Sequence, residues 1–144
     1  GVNLGQLLSS SEQNVTVLTT DTRTHWAYQW ILLVVEAGVM EVFSNHTFQP
    51  ESLVDRGGLA QVVSRVLTLI VRRDPSSGAS WQTVRRQFTD VDQQHLLHEA
   101  ASVAVAAEIL PILEGNRFGL SDSVSGREAL AAVDQLEGLL VPEK

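Results

Sequence analysis

The sequence predicts an all-α fold, two helix-loop-helix repeats with small hairpin turns packed around a shared core, and three observations lead there. Apolar residues recur at helical spacing in four separate segments, and each segment is bounded by cap and turn residues. The stretch from His25 to Arg65 also falls, without a gap, on residues 95–135 when shifted by seventy positions: His25 on His95, Ala37 on Ala107, Phe48 on Phe118, Val54 on Val124 and Val63 on Val133. A unit of this size is too small to bury its helix faces alone, so two copies are expected to merge their cores. The resulting division is a lead-in over residues 1–17, a first repeat over 18–73, a linker over 74–87, a second repeat over 88–140 and a tail over 141–144.

In chain order, residues 1–14 are small, polar and weakly patterned, and Val15–Leu18 alternate over too few residues to establish a strand. Thr24 is an N-cap candidate for a helix from His25 to about Ala37, with Trp26, Trp30, Leu33 and Val34 on its apolar face. Gly38 supplies a left-handed stop. Between Val39 and Pro50, Ser44-Asn45-His46 reads as the turn of a small hairpin that brings Phe48 back onto the first helix. Asp55 caps the next helix, in which Leu59, Val62, Val63, Val66, Leu67 and Ile70 keep helical period. Asp74 to Ser80 is the linker signal, and Trp81–Gln87 a short basic turn. The second copy brings a helix from His95 to Ala107, with Leu96, Ala100, Val103 and Ala107 on one face. Gly115-Asn116 follows at the turn. A last helix runs to about Leu140, opened by a Ser125-Glu128 capping box.

Composition narrows the function classes. The chain has 144 residues, is 44% hydrophobic and carries a formal charge of −7, so overall electrostatics disfavour nucleic acid and acidic membranes. Cysteine is absent, which leaves neither disulfides nor thiolate metal sites. The apolar runs are too short for a membrane span. Gly at the first position, where Met would be expected, reads as an excised piece of a longer protein.

His25-Trp26-Ala27, Gly38, the turn closing on Thr47-Phe48 and Pro50, and the helix start Val54-Asp55-Arg56 together resemble the S-layer homology family. The resemblance extends over about residues 18–70 and 88–140. The family's shared Thr-Arg-Ala-Glu motif forms a capping box and sets its Arg beside free amides, a receptor for a carboxylate, pyruvate ketal or phosphate. The resemblance implies a non-catalytic, exported module of the bacterial cell envelope that holds acidic, often pyruvylated, cell-wall polysaccharide and associates with further repeats. Arg56 is the principal contact it implies, with Arg127, Arg117 and Trp26 secondary. The sequence departs from the motif at Gly57-Gly58, where the Glu is lost, and at Gly126, where the second copy lacks the Arg.

Competing readings apply to the same residues. Arg56 can be a solvated arginine pairing with Glu51 or Asp55, and Trp26 and Trp30 can be core residues continuous with Leu33 and Val34. His95 and His98, at helical spacing beside Glu99, lack a third metal ligand of recognisable spacing, and the recurrence at His25 favours a helix-entry role. Asp90 and Asp92 read as a turn and cap pair. No nucleophile elbow, phosphate loop or metalloprotease helix is present, so neither an enzyme nor a cofactor is expected. The rival to glycan attachment is a protein-protein docking or assembly module within an envelope complex, with an exposed apolar patch around Leu110–Leu113.

Overall fold

A computed structural model describes residues 3–10 and 20–140. Among them are five α-helices and no sheet, an all-α fold: α1 (Leu4–Ser10), α2 (Tyr28–Glu36), α3 (Arg56–Arg73), α4 (His98–Ala106) and α5 (Gly126–Leu140). The candidate strand at Val15–Leu18 lies outside the described residues. Two compact units divide the chain, Val2–Ser52 and Leu53–Lys144. Their boundary falls inside the stretch that the sequence groups as a first repeat.

In the first unit the lead-in contains a helix that the sequence reading left unassigned. Asn3 and Gln6 bond reciprocally, the Gln6 amide to Asn3 Oδ1 at 2.8 Å and the Asn3 amide to Gln6 Oε1 at 3.2 Å. This is a capping box written with Asn and Gln. Leu7 and Leu8 are buried, and α1 packs on α2. α2 begins three residues later than expected, at Tyr28, and Thr24 is not its cap. It ends as expected: Gly38 has φ 76°, the Gly38 amide donates to Val35 O and the Val39 amide to Val34 O. Those two bonds satisfy carbonyls that the helix end would otherwise leave unpaired.

The second unit is built on α3, which lies against α4 and α5. Asp55 Oδ1 accepts from the Gly58 amide at 2.7 Å, the cap expected from the sequence. Val63, Val66, Leu67 and Ile70 are buried along one stripe, joined by Ala60 and Leu69. The segment read as a linker is packed structure. Asp74 Oδ1 accepts from the Ser76 amide, opening a 3-10 helix over Pro75–Gly78. Gly78 is buried, and a Cβ there would stand 2.8 Å from Val71 Cγ2, so this segment sits directly on α3. Trp81 is buried behind it.

α4 starts at His98, not His95, and Leu96 is exposed, off the face that the sequence assigned it to. Its buried residues are mostly small, Ala100, Ala101, Ser102 and Ala104 among them, which lets α3 approach closely. Ser102 Oγ accepts from the Arg86 amide at 2.5 Å and donates to Val84 O at 3.2 Å, so the stretch after Trp81 runs pinned along α4. The end of α4 repeats the geometry at Gly38, with the Glu108 amide on Val105 O and the Ile109 amide on Ala104 O. Here a glutamate holds the left-handed position, at φ 61°. The expected apolar patch at Leu110–Leu113 is not formed as such, because Leu110 is buried.

Left-handed backbone at a residue with a Cβ costs about 1–2 kcal/mol. Glu108→Gly is therefore expected to stabilise the fold by about 1 kcal/mol, the relief of strain being partly offset by a freer unfolded chain. Equilibrium denaturation measures it, and a destabilised variant contradicts the assignment of strain at this position.

Candidate functional site

Both loops that follow an apolar helix are gripped by a carboxylate from the segment preceding that helix. Asp21 accepts through Oδ1 from the Phe48 amide at 2.9 Å and through Oδ2 from the Gln49 amide at 2.8 Å. Asp90 accepts in the same way from the Phe118 and Gly119 amides, both at 2.8 Å. Just ahead of each carboxylate, the Thr20 amide donates to His46 O and the Thr89 amide to Asn116 O. The loops match under the shift of seventy, but the aspartates are sixty-nine apart. The gapless superposition therefore needs one extra residue in the second copy between Asp90 and His95. Asp92 does make the expected turn, accepting from the Gln94 amide at 2.8 Å, whereas Asp90 is a long-range clamp.

The clamps are electrostatic. The Phe48 amide is the largest influence lowering the Asp21 pKa, against desolvation, with the Gln49 amide, its own amide and His25 adding to it. At Asp90 desolvation works upward, but the amides of Phe118, Gly119 and Asp90 itself, with Arg117, outweigh it and leave the pKa below the ordinary carboxylate value.

The histidines act at the helix entries. His25 Nδ1 accepts from the Ala27 amide at 3.1 Å, and His95 Nδ1 accepts from the Leu97 amide at 3.0 Å. An accepting Nδ1 places the proton of the neutral ring on Nε2, and His25 Nε2 lies 2.6 Å from Glu51 Oε1, where it can donate. Thus His25 ties α2's entry to the end of its loop. The same turn projects Trp26 outward: Trp26 is 85% exposed and Trp30, one helical turn on, 65%. Neither is a core residue, contrary to the continuous apolar face read from the sequence. The buried member of that face is Ile31, while Leu33 and Val34 are half-buried. The Trp26 ring stands 5.5 Å from that of His25, tilted by 32°.

Arg56 is turned inward. Its residue is 3% exposed, its Nε donates to Phe118 O at 2.7 Å and its Nη2 to Pro111 O at 2.6 Å, and its guanidinium carbon sits 4.9 Å from the Phe118 ring centroid. Desolvation lowers its pKa from the ordinary arginine value, and the charges of Glu128, Asp122 and Asp90 oppose that shift. Glu128 Oε2 is 4.0 Å from Nη1. The amides expected to lie free beside it are also occupied, Arg56 N by Asp122 O and Gly57 N by Leu120 O, both at 2.9 Å. What the sequence read as an outward anion receptor is filled from within its own unit by carbonyls of residues 111–122. Among the described residues the Arg56 guanidinium makes no ion pair with Asp55, whose carboxylate caps α3.

The other cations stay outside. Arg117 pairs with Asp122 Oδ2 at 3.3 Å with its side chain half-exposed, and Arg127 is exposed with no side-chain partner among the described residues. At the start of α5, Ser125 Oγ accepts from the Glu128 amide at 3.1 Å, half of the expected box. Glu128 turns its carboxylate to the Ser125 hydroxyl at 3.3 Å, so the return bond to the Ser125 amide is not made. His98 is buried against Phe88, ring centroids 5.9 Å apart, and is no partner for His95 at a metal. Among the described residues no three of His, Asp and Glu gather closely enough to hold a metal ion, and no helix is long and apolar enough to cross a membrane.

Because the folded pKa of Asp90 lies below the unfolded value of about 3.9, its contribution is present above that pH and lost as pH falls through the folded pKa. Thermal melts should show stability dropping below about pH 4, and Asp90→Ala should cost about 1–2 kcal/mol at neutral pH while flattening that acid limb. An unchanged acid limb in the variant removes Asp90 from the account.

Residues 19–58 match the family model of the S-layer homology domain. That span holds the Asp21 clamp, the His25 entry, α2, its loop and the first turn of α3. No curated protein and no solved structure matches the chain. Clamp, histidine-locked entry, Trp26 and capped helix start all fall within this span, which is similar to the S-layer homology domain.

Proposed function

We propose that the chain is a non-catalytic attachment module of a bacterial cell-envelope protein and that its ligand is cell-wall or another anionic polysaccharide. S-layer homology domains are binding modules that anchor proteins to the cell wall and are associated with the bacterial cell surface, which gives the general role. The finer reading, a glycan as the ligand and particular residues as its contacts, draws on the surface geometry.

The observation that carries it is Trp26, 85% exposed on a turn that His25 locks from both ring nitrogens. An indole offers a flat apolar face and a polar N–H edge, and burying it on a sugar ring recovers hydrophobic area at little conformational cost because the turn is already fixed. Trp30 extends that surface within the same unit. In the second unit, Arg127 and the half-engaged Arg117 supply the cations for acidic substituents. Arg56 enters this reading through the loop it holds, since its own donors are spent on carbonyls.

Co-sedimentation with purified bacterial cell wall is the test. Wild-type chain is expected to pellet with the wall, and Trp26→Ala to weaken binding by about tenfold or more with the fold intact. The Arg127→Ala effect should be smaller and should fade at high salt. Wild-type binding that Trp26→Ala leaves untouched removes Trp26 from the site, and absence of wall binding by the wild type refutes the glycan reading.

A further inference from the structure

Within the second unit, α3 and α5 hold equivalent places in the recurring pattern yet have unequal surroundings. Under the shift of seventy, Ala60 falls on Leu130 and Val63 on Val133. Ala60 and Val63 are fully buried on a helix that lies against α4 and α5, whereas Leu130 is 62% and Val133 39% exposed. α5 already has a buried stripe, Ala132 and Leu136, so Leu130 and Val133 form a second apolar face. The helix starts differ in the same sense. Arg56 N and Gly57 N are taken by Asp122 O and Leu120 O, while the corresponding amides of Gly126 and Arg127 have no partner among the described residues.

We propose that this end and face of α5 are covered by a second copy of the chain, which presents its residues 43–52 head to tail, as residues 113–122 are presented to α3. The chain's own internal contact supplies the pattern for the occupant. The loop at 43–52 has the backbone of the loop that covers α3: the Phe43 amide donates to Thr47 O as the Leu113 amide does to Arg117 O. Asp21 grips it as Asp90 grips the other. The acceptors Leu120 and Asp122 correspond to Pro50 and Ser52, whose carbonyls receive no hydrogen bond from any described residue. Charge fits as well: Glu51 in the donor loop, though held by His25, is exposed, and Arg127 at the start of α5 has no side-chain partner among the described residues.

The two surfaces are different patches of one molecule, so the contact is heterologous and repeats from copy to copy. Burying Leu130 and Val133 supplies the apolar part, and the free amides supply direction. This inference goes beyond wall attachment and does not depend on it.

The chain has no cysteine, which makes a cross-linking test clean. Ser52→Cys and Gly126→Cys chains of different tag length, mixed under mild oxidation, are expected to give the mixed disulfide in preference to either self-pair. Val133→Glu, placed in the Gly126→Cys chain, should lower that yield by about tenfold with helical circular dichroism unchanged, and Leu130→Glu should do the same. Sedimentation of the wild type should show mass rising with concentration. Self-pairs as abundant as mixed pairs, a yield indifferent to Val133→Glu and Leu130→Glu, or a wild type monomeric up to about millimolar concentration each overturn the proposal.

Discussion

The buried guanidinium of Arg56 is the contact on which the second unit turns. Taking a cation out of water costs several kcal/mol unless its donors are met. Two carbonyls, Phe118 O and Pro111 O, meet them, the Phe118 ring lies within cation-π range, and three carboxylates oppose the desolvation. Because the bonds go to main-chain oxygens, they fix the course of the loop and not merely one side chain. The loop then returns its own carbonyls of Leu120 and Asp122 to the first amides of α3. Helix start and loop are thus each the other's cap.

This exchange assigns roles around it. A loop held at Phe118 needs its own turn to be rigid, and Asp90 provides that by gripping two successive amides. The first unit uses the same device at Asp21, with the histidine at the helix entry adding a tie through Glu51. Backbone and entry are thus both fixed by polar groups, and the Trp26 side chain adds little buried surface to the turn. Trp26 stands on the surface, inside the stretch 19–58 that matches the S-layer homology model.

Much of the frame was legible because local chemistry determines it. Asp55 capping α3, Gly38 in a left-handed stop and the turn at Gly115-Asn116 follow from short-range rules, and those rules hold whatever the tertiary setting. Other features needed partners distant in sequence. The place of Arg56 in the first helical turn says nothing about a loop some sixty residues on that offers two carbonyls, so the sequence alone points it outward. Helical spacing places Trp26 and Trp30 on an apolar face without saying what covers it, so it does not separate a core residue from an exposed one. The Asp90 clamp lies outside the superposed stretches, which begin at His25 and His95, although the paired Thr-Asp at Thr20-Asp21 and Thr89-Asp90 is the available signal. The seven residues of α1 carry too little periodicity to mark a helix, although Asn3 and Gln6 stand at capping-box spacing.

The central claim, that Arg56 is a receptor for its own unit's loop, is tested most directly by native-state hydrogen exchange in Arg56→Lys. Lysine keeps the charge but cannot span two carbonyls with a planar fork. The account expects the amides of Arg56, Gly57, Phe118 and Gly119 to lose protection together, by about tenfold or more per amide, while the middle of α3 exchanges as before. Protection at those four amides equal to wild type would contradict it.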